Sequence, residues 1–310
     1  MKDFSDIHVN TFKSLLGHVK AMSNSELNET KADYIIQILN DIIEFKSFIV
    51  AELEFPEIHR LTINRNILGT NLRIKNINLL KYPPKELVKS YGRCNLPNQS
   101  VLYASFGQLM IMSEMRPKVG DLITISTWKN IDNTPLKITP IFKNQPVNGT
   151  INLNSYNFNE TYIKLLKQHP PNTVKEIDHL TQFIAEAFSK RFKMNSNYAN
   201  YVISAYFSNQ ILNEYGDQVE AIFYPSVQQS LCFENLAIKP PIFDKKYKLN
   251  KVQESIVVKS MEDGDGGYFT EGVCETESFD YESSTIHWPN KYLQPPEKIK
   301  LYKELGYKFD

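Results

Sequence analysis

The sequence has 310 residues, 42% of them hydrophobic and 23% charged, which is enough to bury a sizeable core in one large domain or two small ones. Its 35 lysines and arginines balance 35 aspartates and glutamates, so net charge supplies no general attraction to nucleic acid or to an anionic membrane. Three scattered cysteines (Cys94, Cys232 and Cys274) form neither a disulfide framework nor a CxxC zinc pair.

The N-terminal stretch MKDFSDIHVN lacks the apolar segment of a signal peptide, and no run of about 18 apolar residues is present to cross a bilayer. The expected setting is therefore the reducing cytoplasm. Helical patterning covers the first 54 residues. One helix is expected over IHVNTFKSLLGHVKAM. A second runs from TKADYIIQ onward, with Thr30 and Asp33 in N-cap spacing and Ile35, Ile38, Leu39, Ile42, Phe45 and Ile49 on one face. These helices suit either a docking extension or an oligomer face, a homodimer included.

After Pro56, EIHRLTI (57–63) predicts a strand. A polar stretch with Pro83 and Pro84 follows, then a strand at SVLYAS (100–105) and a helix over 106–116 stopped by Pro117. DLITISTW (121–128) is β-branched and reads as a buried strand. Residues 129–177, rich in Asn, Pro and Lys, read as an insertion with little structure of its own. Two helices come next, one capped by Asp178 with Leu180, Phe183, Ile184, Ala187 and Phe188 on one face, the other ending at Gly216. VEAIFYPSV (219–227) predicts a strand, and residues 245–310 an irregular C-terminal extension. Strands and helices do not alternate regularly, so the expected class is α+β. Neither GxGxxG nor GxxxxGK[ST] occurs.

The stretch SYGRCNLPNQSVLYASFGQLMIMSEMRP (90–117) holds two residues that packing does not explain. Glu114 lies among Leu109, Met110, Ile111, Met112 and Met115. It is either a helix-end carboxylate that reaches water or a buried acid that needs an arginine, backbone N–H groups or a cationic ligand. Arg93 is either a solvated turn residue or a planar fork aimed at phosphate or carboxylate. Arg60 sits mid-strand with Ile58 and Thr62 on its face, which hints that this face is not fully wet. Tyr103 reads as strand packing, and Ser226 as a turn former outside any GxSxG elbow. EDGDGG (262–267) fails the calcium-loop spacing because its twelfth position from Asp263 is Cys274. The histidines show no metal spacing.

Taken in order, these elements resemble the RES domain family, over roughly residues 55 to 243. Arg60 matches the strand arginine, Gly92, Arg93 and Asn95 the Gly-Arg-x-Asn turn, Leu102, Tyr103 and Ala104 the following strand. Glu114 matches the helical acid; Tyr224, Pro225 and Ser226 the late turn; and Asn235 the asparagine after it. Thr62 stands where the family often has a second arginine. Arg65 could replace it but falls on the opposite face of a regular strand. Cys94 stands at a turn position that is often aromatic.

The resemblance implies a mixed β core with flanking helices similar to ADP-ribosyltransferase toxins. A catalytic domain would span 55–243, inserted at 129–177, between an N-terminal helical extension (1–54) and a C-terminal extension (244–310). It implies NAD+ as substrate and inorganic phosphate as co-substrate, with no permanently bound cofactor and no metal. Glu114, Arg60 and Ser226 would be catalytic; Arg93, Tyr103, Asn95, Tyr224 and Asn235 would bind substrate. The implied activity is that of a toxin releasing nicotinamide and ADP-ribose 1-phosphate, held in check by an Xre-type helix-turn-helix antitoxin. Two alternatives stand beside it: a mono-ADP-ribosyltransferase acting on a protein, and a non-catalytic interaction module.

Overall fold

The computed structural model describes residues 3–25, 27–43, 49–142, 153–190, 198–214, 217–226, 234–261 and 267–309. In chain order its helices are α1 (Asp6–Ser23), α2 (Glu29–Ile42), α3 (Asn64–Leu68), α4 (Gln108–Met115), α5 (Leu153–Leu166), α6 (Pro171–Ser189), α7 (Val202–Asn209), α8 (Pro240–Lys246) and α9 (Pro296–Glu304). The strands are β1 (Ala51–Leu53), β2 (Glu57–Ile63), β3 (Leu102–Ser105), β4 (Leu122–Asn130), β5 (Leu136–Pro140), β6 (Ala221–Pro225), β7 (Glu234–Ile238), β8 (Tyr247–Ser260), β9 (Tyr268–Thr276), β10 (Phe279–Asp280) and β11 (Thr285–Ile286). Parallel and antiparallel pairings both occur, and the fold is α+β. Among the described residues no helix is long and apolar enough to cross a membrane.

The chain divides into two compact units, each drawn from three separate stretches. The first comprises Met1–Leu53, Pro84–Val101 and Lys137–Ala237. Its α1 buries Val9, Phe12, Leu16 and Val19, the three- and four-residue spacing that puts side chains on one helical face. Ser5 Oγ caps this helix by accepting from the His8 N–H at 3.1 Å. Helix α2 is capped by Asn28 rather than by Thr30 or Asp33, its Oδ1 accepting from the Lys31 N–H at 2.9 Å. Strands β5 and β6 run parallel, Ile138 opposite Ala221 and Pro140 opposite Phe223. A parallel pair needs a long crossover, and the helices between β5 and β6 supply it.

Residues 129–177 are therefore not the weakly structured insertion that their composition suggests. They hold β5, α5 and the first turns of α6. Helix α6 starts with Pro171 at its first position, seven residues ahead of Asp178, because proline's missing N–H and fixed φ suit a helix start. The capping carboxylate comes from elsewhere in the unit: Asp3 Oδ1 accepts from the backbone N–H groups of Asn172 and Thr173 at 3.1 and 2.9 Å. Asp178 instead accepts from the Tyr162 hydroxyl at 2.7 Å. Gly216, expected at a helix end, lies outside the described residues, as do Phe45, Cys232 and most of EDGDGG.

The second unit comprises Glu54–Pro83, Leu102–Leu136 and Ile238–Asp310. Here β3, β2, β4, β8 and β9 lie side by side in that order, antiparallel throughout the mapped register. On one sheet face Leu61, Ile63, Ile123, Ile125 and Val257 pack with Ile111 and Met112 of α4. On the other, Leu122, Ile256 and Cys274 pack with Ile299, Tyr302, Tyr307 and Phe309. The C-terminal region is thus regular rather than irregular: β8 pairs with β4 on one side and with β9 on the other, and α9 covers one face.

Candidate functional site

The residues singled out by sequence fall in both units. In the second, Arg60 lies at the centre of β2 and Tyr103 in β3, with Glu114 one helix beyond it. Arg60 alternates along β2 with Leu61, which packs toward α4, so its Cα–Cβ bond points to the opposite sheet face. Its half-buried guanidinium donates from Nη1 to the Tyr103 carbonyl at 3.2 Å. Nε has no partner among the described residues, and no acidic side chain there pairs with this arginine. Burial brings its pKa down to about 10, against a small opposing effect of Tyr103, so the group stays cationic at neutral pH.

Thr62 shares the Arg60 face. Its Oγ1 is also buried without a partner among the described residues. Arg65, the candidate second arginine, turns its Nε to Asp121 Oδ1 at 2.8 Å. Glu114 is half-buried and its neighbour Met115 exposed, so α4 is buried on one side only; two turns laid on a sheet face cannot be enclosed all round. The side chains of Leu109 and Met110 lie outside the described residues.

In the first unit the GRCN turn is closed by its own backbone: the Gly92 N–H donates to the Asn95 carbonyl at 2.9 Å. Asn95 is buried and its Nδ2 donates to the Ser90 and Leu96 carbonyls. This turn aims Arg93 at the C-terminus of α6. Its Nη1 donates to the Phe188 carbonyl, its Nη2 to the Lys190 carbonyl at 3.3 Å, and its guanidinium stacks 5.1 Å from the Tyr201 ring centroid. A cation placed on the last carbonyls of a helix satisfies groups that lack intrahelical partners and sits at the negative end of the macrodipole. Tyr224 joins the same cluster, its ring 6.0 Å from that of Phe188. Ser226 follows two residues later, and Asn235 lies on the neighbouring strand β7; both are buried. The unit therefore gathers Arg93 and Tyr224 around the end of α6, with Ser226 and Asn235 at the ends of adjoining strands.

Several polar groups escaped the sequence reading. His59 is buried with Nδ1 3.0 Å from Thr127 Oγ1 and Nε2 3.3 Å from Glu57 Oε1, and burial lowers its pKa against the pull of Glu57. Across from it on β3, Ser105 buries an Oγ with no partner among the described residues. Arg73 and Glu254 form an ion pair with both side chains almost fully enclosed. Glu254 did carry a sequence signal: it is a carboxylate alternating with Val252 and Ile256 on an inward-facing strand side. No family model matches the chain, and no curated protein matches it.

Proposed function

We propose that this chain is a RES-type, NAD+-cleaving enzyme with a fold akin to ADP-ribosyltransferase toxins, acting in the cytoplasm and restrained by a helix-turn-helix antitoxin. In the reaction, the bond between nicotinamide N1 and ribose C1′ breaks, its electron pair leaving with nicotinamide. A phosphate oxygen bonds to C1′, giving ADP-ribose 1-phosphate. The observation that carries this reading is Arg60: a half-buried guanidinium that no acidic side chain among the described residues pairs with is a cation prepared for an anion. A pyrophosphate or inorganic phosphate answers that need.

Cleavage builds positive charge on the ribose, and a preorganised carboxylate stabilises it as it develops; Glu114 is the carboxylate proposed for that role, although α4 packs on the sheet face opposite the one to which the Arg60 Cα–Cβ bond points. Tyr103 stacks on the nicotinamide ring and favours its cationic form. Arg93 holds the end of α6 and with it the cluster around Tyr224. The test is incubation of the purified chain with NAD+, with and without phosphate, while nicotinamide and ADP-ribose 1-phosphate are quantified. Phosphate-dependent turnover is expected. ADP-ribose appearing on a protein instead points to the transferase alternative, and no consumption of NAD+ in any condition leaves only the interaction module.

A further inference from the structure

In the second unit a buried histidine joins two strands of the sheet. His59 of β2 stands opposite Ser105 of β3 on one side and Thr127 of β4 on the other. Its Nδ1 lies 3.0 Å from Thr127 Oγ1, and its Nε2 lies 3.3 Å from Glu57 Oε1. A carboxylate only accepts, so Glu57 favours the ring proton on Nε2. Nδ1 of the neutral ring is then the acceptor, and the Thr127 hydroxyl donates to it. This matched polar pair holds β2 to β4 on a face that elsewhere packs Leu61, Ile63, Ile123 and Ile125.

Acid undoes the match. A protonated ring carries a donor on both nitrogens, so Nδ1–H meets the hydroxyl proton of Thr127 until that hydroxyl turns away. The new charge also lies in a buried place. Among the groups on this face, Lys129 stands opposite Glu57, and Lys251 stands opposite Thr127 and pairs with Glu275 of β9 at 2.7 Å. From β3 come Ser105 and, two residues back, Tyr103; α4 carries Glu114 as its one titratable residue. Burial lowers the His59 pKa and outweighs the opposing pull of Glu57. We infer that His59 is an acid-sensitive clasp: neutral, it ties β2 to β4 through Thr127; protonated, it lets go of that hydroxyl and loosens the strand that carries Arg60. Its stabilising contribution is present above the ordinary imidazole value of 6.5 and is lost as pH falls through the lowered one. Nothing in this inference rests on NAD+ cleavage.

The experiment is hydrogen exchange of the full chain, read by mass spectrometry from pH 8 to pH 5 and corrected for the intrinsic pH dependence of exchange. Peptides covering β2 and β4 should lose protection on the acid side, and His59→Gln should abolish that loss. Glu57→Gln, at an exposed side chain, removes the charge that favours the imidazolium and should move the loss to lower pH. Thr127→Val keeps the shape but not the hydroxyl, so protection should already be lower at pH 8, by about three- to tenfold. Constant protection of β2 and β4 in wild type overturns the clasp. So does a loss that persists unchanged in His59→Gln, or one that Glu57→Gln leaves in place or moves to higher pH. Wild-type protection in Thr127→Val at pH 8 overturns the assignment of the partner. If His59→Gln does not fold, the direction of the shift in Glu57→Gln decides.

Discussion

Arg73 and Glu254 lie 181 positions apart in sequence and meet in the interior of the second unit, where two guanidinium nitrogens reach the same carboxylate oxygen at 2.7 and 3.0 Å. The arginine also donates to the Phe309 carbonyl at 2.5 Å and lies 4.6 Å from the Trp288 ring centroid. It thereby ties the C-terminal segment to β8. Glu254 Oε1 has no partner among the described residues, so the carboxylate depends on one neighbour for its charge. Removing that neighbour leaves an unpaired buried charge. Arg73→Met should cost about 3–5 kcal/mol, while Arg73→Met combined with Glu254→Leu should recover most of it. Urea denaturation of the single and double variants checks this.

The same pair gives a pH dependence. Burial raises the Glu254 pKa, with Arg73 pulling it back, and the net displacement is upward. The folded state then holds this proton more tightly than the unfolded state does. Its contribution to stability is present below the ordinary carboxylate range and is lost as pH rises through the raised value. The Arg73→Met defect should accordingly be smaller at pH 5 than at pH 8, since protonation removes the unpaired charge. An equal or larger defect at the lower pH would show that Glu254 is not the group responsible.

Arg93 is assigned here to holding the end of α6. Arg93→Met removes two donors to its final carbonyls and should destabilise the chain by about 1–3 kcal/mol. Arg93→Lys should recover only part of that, because one ammonium cannot donate to both carbonyls while stacking on Tyr201. Stability identical to wild type in Arg93→Met would contradict the anchoring role and return Arg93 to the ligand.

Cys94 and Cys274 are buried thiols. Burial pushes the Cys94 pKa up to about 12, despite a hydrogen bond with Ser208 and the nearby Arg93 charge that act the other way. Cys274 is displaced in the same direction, burial again being the largest cause. A thiol kept protonated and out of solvent is a poor nucleophile. Iodoacetamide at pH 8 should leave both unmodified in the native chain and alkylate both in urea, as read by peptide mass spectrometry. Rapid native labelling of Cys94 would mean that the GRCN turn opens readily.

For the proposed reaction, Glu114→Gln should lower kcat by about 10²–10³ with a smaller change in KM, because the charge it stabilises exists chiefly in the transition state. Arg60→Lys should raise the KM for NAD+ or for phosphate, since a point charge does not reproduce a planar fork. Initial rates against each substrate separate the two effects. Full activity in both variants would place the chemistry, if any, elsewhere.

What the sequence by itself determined follows from local periodicity. The stripe Val9, Phe12, Leu16 and Val19, the limits of β2 and the positions of β3 and β4 can be read because each depends on neighbours within a turn or two of chain. The order Arg60, Gly92-Arg93, Tyr103, Glu114 and Ser226 was legible for the same reason: motifs are contiguous. Periodicity states which face a residue occupies, never what meets it there. The guanidinium of Arg93 looked free in its turn, and only the fold brings to it the carbonyl of Phe188, 95 positions away. The charged composition of 245–310 suggested an extension, whereas β8 finds β4 and β9 as partners and becomes part of the second unit's sheet. Long-range pairing decides those outcomes, since hydrogen bonding across strands and burial of a charge beside its opposite are properties of residues that the chain brings together only on folding.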